Sequence, residues 1–529
     1  MFKIAPKSRK TPRFSPQFIR RLSSWLVLTT ALTLAVRPQA ALFWDSDGDS
    51  TNNGTAAGLG GSGDWTTAAG DTSWWNGLST LPNQNQGWDS TTAIFTGTAG
   101  QVDIAQSTIN AAGLVFNTTG YVIGNKGIAT NVLNLTGTAA VVVNGIGSTA
   151  RIDAAIGGSA GLVKSGNGSL VLTNNSNTYT GDTVINDGAV VITDQAQLGL
   201  GTTAISVNGL ANTGNPGFSG GQLILNGGIT GLTINREISV TGRGTGAANA
   251  GGALVSVGNN TLNGDLVISS TGSEGRVVAT HGTTTINGGV QLGTGAVNYF
   301  LGNGNFIISG VVTGFDIAND RLIKSGTLVA TTLWLQNANN NFAETVRPDS
   351  GTIRVSDNGA LGASTASRAI DFASGGRLEI HTDAPNFDTR NVHVRAVTGL
   401  IYATRAFDGA GLNKNVQFGN LEMDNGTLQY DNRNGYNLLI NAQNGAGGTT
   451  TWAGAGNAAF TNNADGFFKF DGSIAHNEAT ARTFTVGGNG DTIITGSYLG
   501  LGGGAHLLTK NGNGILTIQG TASTYTGVT

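Results

Sequence analysis

Lys164–Thr183 reads KSGNGSLVLTNNSNTYTGDT, and Lys510–Thr529 reads KNGNGILTIQGTASTYTGVT. Half of the aligned positions are identical without a gap: Lys, Gly, Asn, Gly and Leu at the front, then Thr, Tyr, Thr, Gly and Thr. A block used twice in one chain marks a repeated structural unit, and such units fold by stacking on their neighbours. A looser copy lies between them, LIKSGTLVATTLWLQNANNNF (322–342). It is followed by GTIRVSDNGALG (351–362), as the first block is followed by GAVVITDQAQLG (188–199). The shared order Lys-x-Gly, Leu-x-Leu, Asn, Gly-x-Val/Ile-x-Val/Ile and Leu-Gly is harder to reach by chance than any one of its parts.

Outward from these blocks the chain is monotonous. AAVVVNG (139–145), GQLILNGGI (221–229), GRLEIHTD (376–383) and GTLQYDN (426–432) are short apolar segments closed by Asn, Asp and Gly. Alternating apolar and polar residues put one face inward and one outward, as in a strand. Asn-Gly and Asp-Gly pairs supply the positive φ that turns require. The composition agrees, with 84 Gly, 8 Pro and 11% charged residues. Glycine follows no three-residue period, which excludes collagen, and 39% hydrophobic residues in regular runs argue against disorder. The fold class predicted is all-β. Rungs of roughly 20–25 residues would stack about 4.8 Å apart. In the first block Leu170, Leu172, Val184, Val190 and Ile192 are candidates for the inward ladder, and turn asparagines are expected to bond along the axis.

Residues 1–40 read as a secretory signal peptide with a long basic leader. They hold eight of the 28 basic residues and no acid, then the apolar run Trp25–Val36 and small residues at Ala40 and Ala41. A stretch of twelve residues is too short to span a bilayer, which takes about 20. Without this segment the net charge is −11, which disfavours nucleic acid and anionic lipid as partners. Cysteine is absent, so export brings no disulfide framework.

Residues 41–110 differ from the rest, with five of the eight tryptophans: Trp44, Trp65, Trp74, Trp75 and Trp88. An N-terminal cap is the favoured reading, because the first rung of a solenoid otherwise exposes an apolar cross-section and a strand edge. A sugar-stacking platform is the alternative. Residues 111–529 form the repeat region.

GLVKSGNGSLVLTNNSNTYTGDTVINDGAVVI (161–192) and HLLTKNGNGILTIQGTASTYTGVT (506–529) resemble the autotransporter-associated β-strand repeat of bacterial surface proteins. GNGDTIITGSYLG (488–500) and the opening from FWDSDGDST to AIFTGTAG (93–100) are similar to that family as well. The resemblance implies a right-handed parallel β-helix solenoid, exported and displayed at the cell surface or outer membrane or released outside the cell. It implies no catalytic residues and no cofactor. No stretch reads as the alternating strands of an outer-membrane barrel. Outer-membrane association is therefore expected only through a barrel or anchor that this chain does not carry. The second block breaks off at Thr529, so either the chain is a fragment or its anchor lies elsewhere.

The motifs that carry chemistry elsewhere are weak here. DSDGDS (45–50) alternates Asp like a calcium loop but has Ser50 where that loop needs Gly and Ala56 where it needs Glu. GGNGDTIIT (487–495) departs from the calcium nonapeptide because Gly490 and Asp491 are adjacent. GFSGG (217–221) fits a nucleophile elbow at Ser219, but no helix follows it. GLGGSG (58–63) fits a dinucleotide fingerprint in a chain where glycine makes such matches common. The five histidines show no metal-ligand spacing, and no metal site is expected.

The one plausible enzymatic site is the charged stretch 368–408. There Glu379, His381 and Asp383 alternate and would share a strand face. Ordinary surface pairs are the favoured reading. The expectation is a non-catalytic, adhesive or structural surface protein whose partners are surface glycans or other cells. Its alternatives are a carbohydrate-active β-helix enzyme (a polysaccharide lyase or hydrolase) and a carbohydrate-binding surface protein.

Overall fold

The computed structural model describes residues 41–54, 58–78, 81–209, 220–244, 251–269, 274–294, 297–314, 320–326, 330–363, 369–384, 390–441, 449–452, 457–476, 479–500, 503–524 and 526. Residues 41–529 form one compact unit. Among the described residues the only helical elements are two 3-10 turns, Gln195–Leu198 and Asn358–Leu361.

The strands pair in parallel with the next turn of chain. Ser169–Leu172 pairs with Ala189–Ile192, that strand with Gln222–Ile234, and that with Leu254–Leu262. One ladder runs from Leu42–Trp44 to Val312–Thr313, and a second from Gly63–Trp65 to Leu507–Lys510. Later turns add a five-stranded ladder, Asn415–Phe418 to Leu516–Ile518, and a three-stranded one ending at Tyr498–Gly500. This is a parallel β-solenoid, as expected.

Rung length is less regular than the sequence suggests. Leu170 stacks on Val190, 20 residues on, but Val190 stacks on Leu223, 33 residues on. The ladder register is continuous across both spacings.

Inward residues from successive rungs form one core. Leu170, Val190, Leu223 and Leu254 stack in a column with no exposed surface. Each such side chain contributes about 1.5–3 kcal/mol by leaving water. Leu172 and Ile192 are inward as predicted. Val184 is not: the strand Thr183–Ile185 buries Thr183 and Ile185 and turns Val184 outward. Thr183 earns its inward place through its hydroxyl, 3.1 Å from the buried Tyr179 hydroxyl.

The expected asparagine ladders are present. Asn287 donates to Asn263 and Asn263 to Asn235 at 2.9 and 2.8 Å, and Asn208 donates to Asn186 at 2.8 Å. Each bond runs along the solenoid axis and satisfies amides that would otherwise compete with the turn backbone.

At the tryptophan-rich end Trp74–Trp75 pairs antiparallel with Leu42–Trp44 and with Asn85–Gln86. These short strands cover the edge of the first ladder. Trp44, Trp65 and Trp74 have no exposed surface, and Trp88 only 7%. Trp74 packs against Trp88, Trp65 and Trp44 with ring centroids 4.4, 5.0 and 5.1 Å apart.

Candidate functional site

The repeat signature has a structural explanation. Lys164, next to last in the strand Leu162–Ser165, points inward with no exposed surface. Its ammonium donates to the carbonyls of Ser165, Gly166 and Asp187 at 2.8, 2.7 and 3.0 Å. Lys324 of the looser copy is equally buried and donates to Gly302 O, Ser325 O and Thr331 Oγ1. Lys510 donates to Asn511 O and Gly512 O. Burial pulls Lys164 and Lys324 down to about 8, in the first case against the opposing charge of Asp187. The lysine is a fastener for the Lys-x-Gly turn, bonding carbonyls that the turn leaves without partners.

The second half of the unit also repeats. Asn177 accepts from Ile156 N and donates to Gln197 O, while Asn340 accepts from Val312 N and donates to Ala360 O. Each asparagine thus ties a strand start to a 3-10 turn on the next rung. Asp194 and Asp357 cap those turns through Ala196 N and Gly359 N.

The charged stretch builds two columns on outer faces. In the strand Arg377–His381, Leu378 and Ile380 enter the core while Glu379 and His381 turn outward. Glu379 lies between Arg354 and Arg377, at 2.6 and 3.0 Å, with His381 at 3.5 Å. Burial acts to raise its carboxyl, but the His381 and Arg354 contacts and the arginine charges outweigh that and hold it at about 2. An acid fixed in its ionised form by two guanidinium groups has no proton to give near neutrality.

Aromatic rings close this column off. Arg354 lies over Trp334 and Phe407 at 5.6 and 5.7 Å, and His381 stacks on Phe407 at 4.8 Å. Asp383 does not share the face, contrary to expectation. It sits beyond the strand end, where its carboxylate accepts from the backbone of Ala406, Ala410 and Gly411. The alternation that joins Glu379 to His381 stops at the turn, so Asp383 is free to hold the following loop.

The second column is Asp371, His393 and Glu422, stacked in register on three successive rungs. Asp371 accepts from Arg395 Nε at 2.8 Å. His393 places Nδ1 3.8 Å from Asp371 and Nε2 3.2 Å from Asp424. Spacing along the chain gave no hint of this group, because its members come from different rungs.

Two more acids are internal. Arg321 pairs with Thr345, so Asp320 and Glu344 precede the same register position on adjacent rungs, and neither is exposed. Burial, with the Asp320 charge added, pushes Glu344 up to about 7.

A further feature is a concave groove of about 540 Å³ on the outer face, bordered by Tyr299, Val278, Leu301, Thr280, Asn303 and Ser325. Val255, Val278 and Leu301 form a small apolar cluster outside the main core. The charges at its margin are paired: Arg276 with Glu274 at 2.7 Å and Arg347 with Asp349 at 2.8 Å.

The other motifs resolve as turns or fall outside the described residues. In DSDGDS, Asp47 accepts from Asp49 N and Asp49 from Thr51 N, the bonds of a stitched turn. Asp491 accepts from Ile515 N on the next rung. Gly60 is wedged between the Thr98 carbonyl and the Tyr121 hydroxyl, with no room for a phosphate. Ser219, Arg368 and Asp388 lie outside the described residues.

The lysine-fastened turn thus recurs along a stacked parallel solenoid. The passenger-associated-transport-repeat family model matches residues 162–192 and 508–529. The chain is 27% identical over 539 residues to the adhesin BmaC autotransporter of Brucella suis biovar 1 (strain 1330), an alignment covering 89% of this chain and 15% of that protein. The chain therefore spans about a seventh of the length of that curated relative. No solved structure matches. The parallel β-solenoid, the matched repeats and the similarity to an autotransporter adhesin together support the reading of an autotransporter passenger β-helix.

Proposed function

We propose that this chain is an exported, non-catalytic passenger with adhesive or structural work at the bacterial surface. Residues 1–40 would serve as the export signal and 41–110 as the cap of the solenoid. The observation that carries the reading is the similarity to an adhesin along 89% of the chain. The state of the charged face adds to it: Glu379 is committed to Arg354 and Arg377, and Asp383 to a loop.

Surface glycans are the partner class the groove fits. Tyr299 contributes an aromatic ring already covered on one side by Arg276 at 5.2 Å, Thr280, Asn303 and Ser325 offer neutral hydrogen-bonding groups, and the nearby charges are already paired. Many such weak contacts along displayed copies would multiply by avidity.

The test is binding of the mature chain to immobilised glycans and cultured cells, alongside an assay for cleavage of acidic polysaccharides. Binding without cleavage is expected, reduced in Tyr299→Ala and kept in Glu379→Gln. Polysaccharide cleavage that disappears in Glu379→Gln would make this protein an enzyme and overturn the reading.

A further inference from the structure

We propose that His393, Glu422 and Asp424 form a binding site for a divalent transition-metal ion, with zinc as the chemically best match. His393 and Glu422 face outward at paired positions of adjacent rungs, because their neighbours Val392, Val394, Leu421 and Met423 are held in the core. Asp424 follows on the second rung. One ligand atom from each lies within 4.8 Å of the other two.

The geometry suits a small cation. At metal–ligand distances of about 2.0–2.2 Å, two ligands of a tetrahedral ion are roughly 3.3 Å apart. The His393 Nε2 to Asp424 separation is already 3.2 Å. Nε2 is buried and makes no hydrogen bond, although that carboxylate is so near. A neutral imidazole with a free Nε2 lone pair is what a metal requires.

The surroundings complete the arrangement. Asp371, 3% exposed, lies on the Nδ1 side of the ring at 3.8 Å and is itself fixed by Arg395 at 2.8 Å. A carboxylate behind the far nitrogen of a ligating histidine sets ring orientation and tautomer, and Asp371 stands on that side of His393. Asp371, Glu422 and Asp424 outweigh Arg395 in charge, so the locality is net negative. Two carboxylates and one imidazole leave a fourth position for water or for a group on a partner. Imidazole among the donors favours zinc over calcium or magnesium, which take oxygen alone.

The experiment is calorimetric titration of the chelator-treated mature chain with zinc chloride, with cobalt(II) absorption as a spectroscopic probe of the same site. A single saturable site with tetrahedral cobalt bands is expected. His393→Ala should abolish it. Glu422→Gln neutralises an exposed carboxylate of nearly the same shape and should weaken binding about tenfold or more. Asp371 is a positioning residue, so Asp371→Asn should shift the cobalt spectrum and weaken affinity roughly 10–100-fold. Zinc affinity unchanged in both His393→Ala and Glu422→Gln would overturn the proposal. Absence of saturable binding would overturn it too, leaving His393 and Asp424 as an ion pair only.

Discussion

Glu344 shows how a single side chain can set the pH response of a rung. It is fully buried, and its carboxyl is pushed up to about 7, against an ordinary value of 4.5. Between those values the folded chain holds a proton that the unfolded chain has released. Its contribution is therefore complete below about 4.5 and is lost as pH rises through about 7. Glu344→Gln keeps the shape of the protonated acid and removes the titration. The variant is expected to match the wild type near pH 4.5 and to exceed it at pH 8 by on the order of 1–3 kcal/mol in local stability. Melting curves of both proteins across that range test this, and parallel pH profiles would refute it. Nothing in the sequence announces such a residue, because alternation assigns apolar side chains inward and is silent on buried charge. Lys164 makes the same point from the opposite sign. It was visible as a repeated letter, yet its role depends on the carbonyls of a turn and of the next rung.

The repeat unit was legible as an order of motifs, and the looser block proves to be the same element as the first. The Asp-x-x-x-Leu-Gly ending folds into the same 3-10 turn at Gln195–Leu198 and Asn358–Leu361, closed by Gly199 and Gly362 at φ 67° and 77°. Both glycines press on an aromatic ring two residues after the bridging asparagine: a Cβ at Gly199 would stand 2.8 Å from the Tyr179 ring and 2.6 Å from its carbonyl. Gly199→Ala is therefore expected to cost about 1–3 kcal/mol through backbone strain and close contact. Hydrogen exchange at 177–200 should rise in that variant, and unchanged protection there would rule the account out. Rung lengths were less legible. Turn signals mark where a strand stops, but they do not show how many residues separate one rung from the next, 20 from Leu170 to Val190 and 33 from Val190 to Leu223. The outward turn of Val184 was missed because Val184 and Ile185 are both apolar, and the choice of Ile185 as the inward one goes with Thr183 meeting the buried Tyr179 hydroxyl. Of the candidate sites, the Glu379–His381 face could be read from alternation, whereas the Asp371–His393–Glu422 column needed the register between rungs.

Across the whole molecule stability is the sum of rung interiors and the contacts between neighbours, so damage stays local. The tryptophan-rich end is the clearest case. Trp74 is fully buried among Trp44, Trp65 and Trp88, so Trp74→Ala is expected to destabilise that end by about 3–5 kcal/mol. The glycan binding proposed for the distant Tyr299 groove should survive the change. Limited proteolysis should cut residues 41–110 first while the later rungs persist; uniform loss of the whole solenoid would contradict nearest-neighbour stacking.

The packed indoles have an optical consequence. Rings with centroids 4.4–5.1 Å apart share their electronic excitations, so this end of the chain should give an exciton-split circular dichroism band. The protein thus carries its own chromophore for one terminus of the stack. Melting followed in that band reports on the first rungs alone, while the far-ultraviolet signal reports on the rest.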